Sequence, residues 1–102
     1  MVFIPIAQWT QVKIAFHDFF AGLGQVNCTE HTLQFFSHPE DVQTTFQIAR
    51  PNGFTAAMPL HQLRGDIEKV AFDREEHAVH VRGPALQYTY KVPAALLRKK
   101  RP

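Results

Sequence analysis

The sequence predicts an α+β fold: an N-terminal amphipathic helix packed on a curved antiparallel sheet or half-barrel of about five to seven strands, closed by a short C-terminal helical turn. Three observations carry this. Residues 7–23 place Trp9, Val12, Phe16, Phe19, Phe20 and Leu23 at helical spacing, with Gln11, Lys13, His17 and Asp18 mostly on the other side. Residues 66–92 alternate instead with period two: Val79 and Val81 oppose His80 and Arg82, and Leu86, Tyr88, Tyr90 and Val92 oppose Gln87, Thr89 and Lys91. The chain also holds nine Phe, enough large rings to build a core without disulfide staples.

Taken in order, residues 2–6 are apolar and extended, with Pro5 suited to an edge strand or a helix approach. The helix stops at Gly22 and Gly24. Val26-Asn27-Cys28 forms a short strand. Residues 32–37 form a firmer one, Leu33 and Phe35 on one face and Phe36 intruding on the other. His38 to Asp41 is a turn. Residues 42–50 alternate, Val42, Thr44, Phe46 and Ile48 against Gln43, Thr45, Gln47 and Ala49. Asn52-Gly53 is a hairpin signal because both residues tolerate positive φ, and residues 54–58 return as the partner strand. Residues 59–65 read as a loop or one helical turn ending at Gly65. Three short strands follow, divided by residues 73–76 and by Gly83-Pro84, and Pro93 opens a final helical turn.

The 102 residues allow one α+β domain over 1–97 and a basic tail over 98–102, expected to fray. Arg98, Lys99, Lys100 and Arg101 contribute +4 to a net charge of +2, which leaves the rest of the chain at −2. The body therefore lacks the basic surface usual in nucleic-acid binders. A single cysteine, Cys28, excludes an internal disulfide and is compatible with a reducing compartment. The start lacks the pattern of a secretory signal, and no apolar run approaches the roughly 20 residues of a membrane span, so a cytoplasmic location is the expectation.

Chemistry is sparsely signalled. Six histidines invite a metal reading, but no HExxH or CxxC is present, and a metal site needs three or four converging donors. His77 and His80 point to opposite faces if both lie on one strand. Neither metal nor cofactor is expected. Cys28 has Asn27, Thr29 and Glu30 as neighbours, and the acid would raise its pKa, so a small packing role fits it better than a nucleophile's. Asp66, Glu68, Asp73, Glu75 and Glu76 concentrate acid late in the chain, where a polar turn and a solvated strand face account for them. No glycine-rich phosphate loop occurs. The chain is not expected to be an enzyme.

Two surfaces remain as candidates. One is a polar sheet face carrying Gln47, His80, Arg82 and Lys91, continued by the tail residues Arg98, Lys99, Lys100 and Arg101, which could contact phosphate. The other is an apolar edge, Phe3, Ile4, Ile6 and Phe36, left over by so small a body and suited to pairing with another chain.

The run 58–92, with Ile67-x-x-Val70 and His77-Ala-Val-His-Val81, is loosely similar in topology to the second half of pleckstrin-homology-like barrels. Val81-Arg82-Gly83 resembles the second motif of Sm-like proteins, whose acidic-asparagine first motif has no match here. Each resemblance covers under half the chain, and neither assigns a family. The leading expectation is a non-catalytic protein-binding or adaptor module that takes a protein partner, a second copy of itself included. The alternative is a nucleic-acid-binding domain using the polar face and the tail.

Overall fold

A computed structural model describes residues 2–38, 42–58 and 61–98. The chain order is β1 (Ile4–Pro5), α1 (Trp9–Phe20), β2 (Gln25–Cys28), β3 (Thr32–Phe36), β4 (Thr45–Ala49), β5 (Gly53–Met58), β6 (His61–Asp66), β7 (Lys69–Asp73), β8 (Ala78–Arg82), β9 (Gln87–Lys91) and α2 (Ala94–Arg98). The helix and the antiparallel strands are as expected. The strands form two sheets, one of four in the order β1-β7-β8-β9 and one of five in the order β2-β3-β4-β5-β6. Neither is a closed barrel.

The helix forms where its apolar period demands, and buries Trp9, Val12, Phe16, Phe19 and Phe20. Its start is tied down by the Trp9 indole, which donates to the Thr29 carbonyl at 3.2 Å. Its end is set by Gly22, whose φ of 82° suits a residue without Cβ, with Leu23 folding back to donate to the Phe20 carbonyl.

Each sheet turns its alternate side chains to one shared core: Leu33, Phe35, Phe46, Ile48, Phe54 and Ala56 from one, Val70, Val79, Val81 and Tyr90 from the other. The helix rings knit the two together. Phe20 stacks on Phe35 at 4.3 Å and lies 6.2 Å from Tyr90, while Phe16 reaches both Phe46 and Phe72 at 6.3 Å. Burying a phenylalanine side chain removes apolar area worth roughly 1.5–3 kcal/mol, so this ring cluster dominates the stability.

Thr44 is the one buried polar residue among those described. Its hydroxyl donates to the Ala57 carbonyl at 3.0 Å and lies 2.7 Å from the Tyr90 hydroxyl. Because the threonine has a single hydrogen to give, the tyrosine donates to it.

The backbone passes between the sheets at Ile67-Glu68. Ile67 N–H donates to the Asn52 carbonyl, extending the β5–β6 pairing, and Glu68 N–H donates to the Arg82 carbonyl, extending β7–β8. Strands that change sheets at such a bend make the corners of a sandwich. Gly83 fits against this corner, because a Cβ there would run into the Asp66 carbonyl.

Three local readings change. Residues 61–65 of the segment expected as a loop or helical turn join Asp66 in a strand paired to β5 along its full length, and residues 59 and 60 lie outside the described residues. The β4–β5 hairpin turns through Arg50-Pro51-Asn52 with a cis Arg50–Pro51 peptide, and positive φ among the described residues occurs only at Gly22 and His77. Val42, placed on the apolar face of a strand, precedes β4 and is 40% exposed. The turn expected at residues 38–41 falls largely outside the described residues.

Candidate functional site

Rows of paired residues define the outer face of the four-stranded sheet. Lys69 pairs with Arg82 and Arg82 with Gln87; Ala71 with His80 and His80 with Thr89; Asp73 with Ala78 and Ala78 with Lys91. Paired residues share a face, so these side chains lie on the side opposite Val70, Val79, Val81 and Tyr90. Strand β1 pairs with β7 and carries Phe3 onto this outer face. The Arg82 guanidinium lies 4.6 Å from the Phe3 ring centroid, and the Lys69 ammonium lies 5.3 Å from it. Both distances are those of cation–π contacts. Phe3, His80, Arg82, Gln87 and Thr89 border a cavity of about 390 Å³.

His80 is held at the middle of this face. Its Nδ1 is 2.9 Å from the Thr89 hydroxyl, and its Nε2 is 3.7 Å from Asp73 Oδ2. The other Asp73 oxygen accepts the Glu76 N–H at 3.2 Å. Lys91, two rows from Arg82, is 3.9 Å from Glu76. Neither Lys69 nor Arg82 has a carboxylate within ion-pair distance among the described residues.

A second feature lies where the sheets meet. Tyr88 packs on Phe54 with centroids 5.9 Å apart, and Leu86 approaches Gly65 so closely that a Cβ there would clash. Tyr88 of β9 thus packs on a residue of β5, and Leu86, just before β9, meets β6 at Gly65. Leu63 pairs with buried Ala56 and so belongs to the core-facing side of β6, yet it is 41% exposed. Strands β6 and β9 are each terminal in their sheets. An apolar residue on the core-facing side of an edge strand is thus left partly exposed.

The residues singled out from sequence divide between places. His80 and Arg82 come together, and Lys91 shares their face. Gln47 does not: it lies on the five-stranded sheet, in a shallow groove with Thr55, Arg64 and Asp66. Arg98 ends α2, and Lys99, Lys100 and Arg101 lie outside the described residues. Of the expected apolar edge, Ile6 is buried at 3% exposure, since its N–H donates to the Glu68 carbonyl and its side chain joins the core. Ile4 packs against that core, Phe3 lies under its two cations, and Phe36 is half-buried on the five-stranded sheet. The residues exposed instead are Val2, Ile14, Val42 and Leu63. Lys69 and Leu63 carry the two features and were not singled out. Lys69 was legible from its polar parity beside Val70; Leu63 was hidden because its segment has no period.

The remaining chemistry is dispersed. Burial pushes the Cys28 thiol up, with the Lys13 ammonium acting the other way by less. No group of three or more His, Cys, Asp or Glu able to hold a metal occurs among the described residues, and no helix there is long and apolar enough to cross a membrane. No family model matches the chain, and no curated protein or solved structure matches it.

Proposed function

We propose that this chain is a non-catalytic protein-binding module that takes an extended segment of a partner against the edge of β9, on the side toward β6. Leu63 carries the reading: it is an apolar residue on the core-facing side of its strand, and it is 41% exposed two residues from Gly65, where Leu86 packs. An unpaired edge offers its N–H and C=O groups to an incoming strand, which supplies affinity, while alternate side chains of that strand supply specificity. Here the side chains of one parity would cover Leu63 and Tyr88, and those of the other would stand beside Gln87, Thr89 and Lys91. A second copy of the chain is one such partner, since every protomer owns the same edge.

The test is selection of extended peptides on the full chain, followed by amide-shift mapping. Selected peptides are expected to shift the amides of residues 87–91 and 62–66, and to lose at least about tenfold in affinity on Leu63→Glu, or 1.4 kcal/mol. Peptides that map elsewhere, or that bind Leu63→Glu as well as the parent, would overturn the reading.

A further inference from the structure

We propose that the outer face of the four-stranded sheet holds an oxyanion site, in which Lys69 and Arg82 over Phe3, with Gln87 and Thr89 beside them, receive a phosphate or carboxylate group carried on a side chain of the docked segment. The source of the oxyanion rests on the edge-docking reading above; the site itself rests on the side chains alone.

Two cations sharing one ring repel each other, and the ring offsets only part of that cost. Asp73 and Glu76, the acids paired on this face, are engaged with other partners. Asp73 faces His80 and accepts the Glu76 N–H, and it stands four residues along β7 from Lys69, about 13 Å at the rise of a strand. Glu76 faces Lys91. Lys69 and Arg82 are thus held without an anionic partner among the described residues. The Arg82 guanidinium carbon lies 4.6 Å from the Phe3 ring centroid, and its N–H fork has no hydrogen-bond partner among the described residues. That fork suits an oxyanion, which it can bind through two parallel hydrogen bonds. The Gln87 amide supplies a further donor at the same cavity of about 390 Å³, which the Thr89 hydroxyl, held by His80, also borders.

The row Lys69–Arg82–Gln87 ends at β9. A strand added there would continue it, with its nearest outward residue opposite Gln87 and about 10 Å from Arg82 at the spacing between strands. An arginine and an acidic or phosphorylated side chain close that span between them. A nucleic acid fits less well. Single-stranded chains need open rings to stack on, and here Tyr90 is buried while Phe3 already carries its cations.

The test titrates the full chain with phenyl phosphate and with benzoate, followed by amide shifts. At least one is expected to shift Arg82, Gln87 and Thr89 saturably. Binding should weaken at least about tenfold in Arg82→Ala and in Lys69→Ala and stay unchanged in Leu63→Glu. The stronger probe identifies the group. Among edge-binding peptides, replacing the acidic or phosphorylated residue should cost the parent the same factor and cost Arg82→Ala nothing. If neither probe shifts this face while peptides still dock at the edge, the oxyanion site is wrong and the docking reading survives. If the probes bind and no peptide uses the edge, the reverse holds. A single-stranded oligothymidylate that binds through Arg82 more tightly than any peptide would overturn the protein source.

Discussion

Tyr90 brings a hydroxyl into an interior made, apart from it and Thr44, of rings and aliphatic side chains, and its acidity records that setting. Burial pushes its pKa up to about 12; the Thr44 hydroxyl, turning its hydrogen to the phenolate, opposes this, and neighbouring Tyr88 adds to it. A tyrosine that ionises near 10 when unfolded and near 12 when folded keeps its full contribution below pH 10 and loses it as pH rises through that window. The loss amounts to roughly 2–3 kcal/mol at 1.36 kcal/mol per unit. Urea unfolding of the parent chain and of Tyr90→Phe at pH 8 and pH 11.5 should therefore show the parent falling further. At pH 8 the substitution itself should cost about 1–2 kcal/mol, because the Thr44 hydroxyl loses its donor. Equal alkaline losses in the two chains would refute the assignment. The parity of Tyr90 was legible from its strand, but its partner was not. Thr44 lies 46 positions away, and a contact of that range is a product of tertiary packing.

Among the elements, α1 was the most readable, because one stripe of large rings admits only one orientation on the sheets. Substituting Phe20, which touches Phe16, Phe19, Phe35, Phe46 and Tyr90, should cost about 3–5 kcal/mol as Phe20→Ala. Ile14 lies on the same helix but is 58% exposed, so Ile14→Lys should leave stability within about 0.5 kcal/mol. Chemical denaturation of both variants checks the contrast, and similar losses would mean the helix is seated differently. Strand β6 was the least readable. Its sequence, His-Gln-Leu-Arg-Gly-Asp, has neither alternation nor β-branched residues, and the strand exists because β5 offers it a complete ladder. Context of this kind overrides β-propensity. The candidate surfaces inherited the same difficulty. Arg82 and His80 were legible by parity, whereas the division of the polar residues between two sheets depends on where the chain bends at Ile67-Glu68.

At the scale of the molecule, one cluster of buried residues takes side chains from both sheets and both helices. Neither sheet has a core of its own to fall back on. Heating should therefore produce a single transition in which calorimetric and van't Hoff enthalpies agree and near-ultraviolet and far-ultraviolet signals coincide. Two resolved transitions would show that the sheets melt separately.

The meeting of the Thr44 and Tyr90 hydroxyls has a consequence for which fold is chosen. Phenylalanines are nearly interchangeable as filler, and a core built from them alone would accept several alignments of one sheet over the other at similar energy. Slipping β9 along β8 by a residue would turn the tyrosine away and leave the threonine in hydrocarbon with one hydrogen-bond partner fewer. One short bond between oxygens thus discriminates among arrangements that greasy contacts leave nearly degenerate.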